Sequence, residues 1–205
     1  MEKTAEELYR SNEGWEDIPQ TQNWARALEF AKQMHEGQTR DEGTPYYEHI
    51  RGVMEILIKE ANTVEDEVLT VAALHDILED TECTYEQLQE EFGQAVADCV
   101  KLLTRDKENG QTFEEYAQKI FESEEFKYAR KIKLADRLHN LRSLPNTKNP
   151  QKIQRKIEET EKYILIYDKQ SHKILMDKIK EQLNILKGIK VPGNSSDKGS
   201  AGLDR

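Results

Sequence analysis

Apolar positions along the chain recur at the spacing of helices, and nowhere do they alternate as a strand would require for more than a few residues. In TQNWARALEFAKQMHE, residues 21–36, Trp24, Leu28, Ala31 and His35 fall near one face, so the segment is expected to be an amphipathic helix. EHIRGVMEILIKEA repeats the pattern through Ile50, Val53, Met54, Leu57 and Ile58, and EDEVLTVAALHDILEDT reads as one largely buried helix. TYEQLQEEFGQAVADCVKLLT gives two short helices punctuated by Gly93, with Thr84 and Gln87 spaced as a capping box. Residues 112–125 and 126–145 form two more. The segment 151–187 carries apolar residues from Ile153 to Leu186, enough for one interrupted helix or two packed ones. GQTRDEGTPYY, with two glycines and Pro45, and the polar RDKENGQ read as loops. The expected fold class is all-α, with roughly seven to nine helices.

The ends differ in character. Residues 1–20 are acidic and stop at EDIP, an N-terminal extension before the first packed helix. Residues 188–205 are rich in Gly and Ser and are expected to be a disordered tail, leaving 21–187 as the folded domain.

Charge narrows the partners. A net charge of −10, with 34% charged residues and a mean hydropathy of −0.87, argues against non-specific nucleic-acid or anionic-membrane binding, which needs a basic footprint. No run of apolar residues is long enough to span a bilayer, and MEKTAEELYR lacks the apolar core of a signal peptide. Cys83 and Cys99 form neither a metal-type pair nor a disulfide framework. The expectation is a cytoplasmic protein that engages neither membrane nor nucleic acid, with its oligomeric state open.

The chemistry concentrates in VAALHDILEDTE, residues 71–82. On a continuous helix at about 100° per residue, His75, Asp76, Glu79 and Asp80 share an arc of about 140°. Val71, Leu74 and Leu78 pack on the other side. Such an arc is either the solvated face of an amphipathic helix or a site. Acids this close, with no Lys or Arg among them, repel one another unless a cation is bound, so the pattern asks for a metal and for further ligands elsewhere. His49 follows the TPYY loop. Asp136, in KLADRLHNLRS, lies opposite a stripe of Leu134, Leu138 and Leu141, with Asn140 and Ser143 on its own side. Alone, each has an ordinary reading: a loop histidine and a solvated aspartate. His35 reads as a helix-end residue, His139 as packing behind a ligand and His172 as a surface residue.

Together, the order His49, His75-Asp76, Asp136 resembles that of the HD superfamily of metal-dependent phosphohydrolases. GQTRDEGTPYYEH, VAALHDILEDT, the FG of EEFGQAV and KLADRLHNL resemble, in that order, the hydrolase domain of the RelA/SpoT family over residues 24–145, and loosely to 187. The resemblance implies an HD-type helical bundle. It implies hydrolysis of the 3′-pyrophosphate of ppGpp and pppGpp to GDP or GTP and pyrophosphate. By the same resemblance, His49, His75, Asp76 and Asp136 hold one divalent metal, manganese in this family, and Glu79 and Asp80 match the catalytic acidic pair. Asn140 matches a substrate-contacting asparagine, and Arg40 matches the arginine that packs on guanine. Lys133, Arg137 and Arg142 are candidates to meet the substrate's charge. Long members carry a synthetase domain after the hydrolase. This chain is too short to hold one and resembles the stand-alone small alarmone hydrolases.

Asp41 and Glu42 stand where the family usually has a lysine and a serine, which bears on affinity and substrate choice. A phosphatase acting on NADPH or another nucleotide is therefore a second reading. A non-catalytic alarmone-binding module is a third, against which the intact Glu79-Asp80 pair argues.

Overall fold

The computed structural model describes residues 23–147, 149–167 and 172–188. The expected extension over 1–20 lies outside the described residues, as does the expected tail beyond Gly188.

The chain runs α1 (Asn23–Met34), α2 (Tyr46–Glu55), a π-helical turn (Ile56–Glu60), α3 (Asp66–Leu74), the single turn α4 (Ile77–Asp80), α5 (Tyr85–Phe92), α6 (Gln94–Leu103), α7 (Phe113–Phe121), α8 (Lys127–Ser143), α9 (Pro150–Tyr163) and α10 (Lys173–Gly188). No strand occurs among the described residues; Thr39 and Pro45 alone form an isolated antiparallel bridge.

Local chemistry explains most boundaries. Thr84 and Gln87 form the expected capping box at α5, and Thr112 and Glu115 form a second at α7, each satisfying amides that a helix start leaves free. Pro150 opens α9 behind Asn149, whose side chain accepts from the Lys152 amide.

The helix expected to run unbroken through HDILEDT is interrupted. It stops at Leu74, turns through His75 and Asp76, and resumes for one turn, with Asp76 at φ −104°, ψ 0°. No glycine or proline announces this break. One of its partners is local and the other tertiary: His75 Nδ1 binds the Ala72 carbonyl at 2.8 Å, and Asp76 accepts from the Tyr46 hydroxyl on α2. The common arc of four groups on one regular helix is accordingly replaced by a turn that directs them separately.

The long helix α8 is the centre of the packing. It contacts α2, the π turn, α3, α6, α7, α9 and α10, while α1 lies along α3. Leu134, Ala135, Leu138 and Leu141 are buried, and so are Asp136 and Arg137. The side of α8 that carries Asp136 and Asn140, opposite the leucine stripe, faces a cavity.

Candidate metal centre and active site

A cavity of about 760 Å³ opens between the 39–46 loop, the His75–Asp80 turn, α8 and α9. At its floor three donors converge. Ligand atoms of His49 on α2, His75 at the break after α3 and Asp136 on α8 lie within 4.8 Å of one another, and all three residues are buried. Asp76 joins them: its Oδ2 is 3.0 Å from His75 Nε2 and 3.4 Å from His49 Nε2. Asp136 Oδ1 is 3.4 Å from His49 Nε2 and 3.9 Å from His75 Nε2.

The hydrogen bonds around the two imidazoles turn their Nε2 atoms inward. A carbonyl can only accept, so the His75 Nδ1 facing Ala72 O carries hydrogen, and Nε2 is the atom left for a ligand. That Nε2 is buried without an aligned hydrogen-bond partner, despite its short approach to Asp76. His49 Nδ1 meets His139 Nδ1 at 2.9 Å, which fixes the ring with Nε2 inward. His139 fits because Gly52 has no side chain: a Cβ there would stand 2.1 Å from His139 Nε2. Asp136 is oriented by Lys133, 2.8 Å from Oδ2, and by the Asn140 amide, which donates to Oδ1, the oxygen that faces the imidazoles.

Electrostatics agree with a cation site. Burial alone would lower the His75 imidazole, but Asp76 and Asp136 push it up to about 9. Burial raises the Asp76 carboxyl; the charge of His75 and the close approach of both imidazoles outweigh it and hold it well below the usual range. Asp136 is held low against its own burial, chiefly by Lys133. Burial, then the repulsion of His49 and Arg40, lowers His139 to about 3, so it stays neutral. Two imidazole nitrogens and two ionised carboxylates around one point suit a divalent ion and do not select among manganese, iron and zinc.

Glu79 and Asp80 both line the cavity but are held differently. Glu79 accepts from the Arg105 amide at 3.0 Å and pairs with Lys107 at 2.5 Å. Asp80 Oδ2 lies 2.7 Å from the Tyr46 hydroxyl, and burial followed by the charge of Asp76 raises its carboxyl. Arg40 is clamped by Glu42 at 2.8 Å, Asn140 at 3.1 Å and Ser143 at 3.0 Å, while Asp41 pairs with Lys152 at the start of α9. The two acids of the RDEG loop are thus engaged with basic groups of the cavity wall.

Lys133 and Arg137 line the cavity; Arg142 does not. Five residues beyond Arg137, it points elsewhere and makes a two-pronged ion pair with Glu60 at 2.6 and 3.0 Å, joining α8 to the π turn. The expectation that Arg142 meets substrate is corrected on that geometry. Tyr46, Arg105, Lys107, Lys152 and Lys156 line the cavity without having been singled out. Tyr46 had a visible signal, lying three residues before His49 in TPYYEH. Lys156 had none, because its place depends on how α9 packs on α8.

Residues 27–164 match the HD domain family. This chain belongs to the HD-domain family. Within it, the chain is 36% identical over 168 residues to the bifunctional (p)ppGpp synthase/hydrolase SpoT of Escherichia coli K12, covering 78% of this chain and 23% of that one. It is 39% identical over 124 residues to the guanosine-3′,5′-bis(diphosphate) 3′-pyrophosphohydrolase MESH1 of Homo sapiens, covering 58% of this chain and 67% of that protein. A solved structure, described as a metazoan ortholog of SpoT that hydrolyzes ppGpp and plays a role in starvation responses, superimposes with a TM-score of 0.74 at 27% identity. It covers 83% of this chain and 98% of that one. The chain therefore spans about a quarter of the length of SpoT and most of the compact relatives. It carries the HD-domain fold and a group suited to a divalent metal, and no helix among the described residues is long and apolar enough to cross a membrane.

Proposed function

We propose that this HD-domain protein hydrolyses the 3′-pyrophosphate of ppGpp and pppGpp, giving GDP or GTP and pyrophosphate, with manganese held by His49, His75, Asp76 and Asp136. The observation that carries the reading is the convergence of those donors at the floor of a cavity whose walls bear both Glu79-Asp80 and a basic set. Relatives named for this activity support it. The folded domain of the proposal is 21–187.

A divalent ion in such a site supplies Lewis acidity toward a phosphoryl oxygen and acidifies water. The protein's groups do the rest. Glu79, oriented by the Arg105 amide and Lys107, takes a proton from the attacking water. The Asp80 carboxyl, which keeps its proton to higher pH than an ordinary aspartate, hands one to the departing 3′ oxygen. Lys133, Arg137 and Lys156 face the pyrophosphate charge, and Arg40, held flat by Glu42, Asn140 and Ser143, presents its guanidinium plane to the base.

Purified protein with manganese is expected to release pyrophosphate from ppGpp. His75→Ala and Asp136→Ala should abolish release while the helical circular dichroism spectrum is kept, and Glu79→Gln should retain the metal but lose about 10²–10⁴ in turnover. Phosphate release from NADPH with ppGpp left intact would move the assignment to a nucleotide phosphatase. Tight binding of ppGpp without turnover under manganese, iron or zinc would make the protein a sensor.

A further inference from the structure

Tyr46 is the first residue of α2, and its hydroxyl sits between two carboxylates with different proposed tasks. It is 2.7 Å from Asp76 Oδ2, beside the converging imidazoles, and 2.7 Å from Asp80 Oδ2, in the acidic pair. Among the described residues, these are the contacts that join the metal group to the catalytic pair through a single side-chain atom.

The phenol is itself fixed. Its ring stacks on the buried His35, centroids 4.6 Å apart and nearly parallel at 12°, and meets the His49 ring edge-on at 5.6 Å. His35 Nδ1 binds Gln38 at 2.8 Å, and Gln38 Nε2 donates at 2.7 Å to the backbone carbonyl of Asp80. One short loop therefore holds Asp80 twice, by its carboxyl through Tyr46 and by its backbone through Gln38. Asp80 ends a single-turn helix and has little else to fix it. A residue on so short an element takes its geometry from tertiary contacts and not from helical cooperativity.

We propose that Tyr46 is a positioning residue for the hydrolysis put forward above: its hydroxyl ties the Asp80 carboxyl to Asp76, so that the acid and the metal group are held in one frame. A phenol has one hydrogen and two lone pairs, so it donates to whichever carboxyl is ionised and accepts from whichever carries a proton. A phenylalanine fills the same space and keeps the stack on His35 but offers neither function. This inference rests on the hydrolase reading for its kinetic consequences and on the geometry alone for its effect on metal binding.

The test is a double-mutant cycle of Tyr46→Phe and Asp80→Asn. It is read in manganese affinity by calorimetry and in kcat and KM for ppGpp, with thermal melting as a folding control. Tyr46→Phe is expected to weaken manganese binding about tenfold and to lower kcat about 10–100-fold with KM nearly unchanged, the range for residues that orient a ligand from behind. The two substitutions should be non-additive in both readouts, because each cuts the same tie. Additive effects, a change confined to KM, or Tyr46→Phe indistinguishable from wild type would each overturn the proposal. If wild type fails to turn over ppGpp yet the coupling appears in manganese affinity, the hydrolase reading falls and the tie stands. If manganese does not bind wild type, both fall.

Discussion

His139 and Gly52 show how a residue far from any chemistry governs a donor atom. The His139 ring occupies the space over Gly52 and meets His49 Nδ1, leaving His49 Nε2 to face the metal group. In the interior of α2 an alanine would gain about 0.5–1 kcal/mol of backbone stability over glycine. The added methyl, however, would overlap a ring pinned by a hydrogen bond, and overpacking of this kind costs about 1–3 kcal/mol. Gly52→Ala is therefore expected to displace His139, release His49 and weaken manganese binding about tenfold, with a net destabilisation smaller than the overpacking cost alone. Calorimetry alongside thermal melting checks this. Wild-type metal affinity in that variant would remove His139 from the site's support.

Between elements, the face that α9 turns to α8 sets how the cavity receives charge. Lys156 lies on that face near Arg137, Lys133 and Asp136, with Glu159 on its own helix. Burial first, and the Arg137 charge next, lower its pKa to about 8. A lysine with a lowered pKa carries its charge below that value and loses it above. On the proposed function, pyrophosphate binding is therefore expected to be strongest below pH 8 and to weaken as pH rises through it. Inhibition constants for pyrophosphate across that range should show the fall in wild type and not in Lys156→Gln, which also corrects for titration of the ligand. Equal pH dependence in the two proteins would exclude Lys156 from the anion's surroundings. The Asp41–Lys152 pair at the start of α9 is largely exposed and contributes about 0–1 kcal/mol to the fold.

Across the whole molecule, α8 is both the packing axis and a wall of the site, so stability and function share one element. Leu138 is fully buried on it, and Leu138→Ala should cost about 2–5 kcal/mol in urea unfolding. Ile166, largely exposed, should change stability by less than about 0.5 kcal/mol when replaced by alanine. A small loss at Leu138 would mean that the core does not centre on α8. Periodicity alone determined the helical class and most element positions, since a buried stripe every three or four residues is a local consequence of the helix itself. The quoted words around His49, His75-Asp76, Asp136 and Glu79-Asp80 likewise marked candidate residues through their resemblance to a family, and the fold brings these residues together. The break at His75, the bridging hydroxyl of Tyr46, the turn of Arg142 toward Glu60 and the arrival of Lys156 in the cavity were decided only in three dimensions. Each depends on a partner that is remote in sequence, and contacts of that kind leave no period or local signature along the chain.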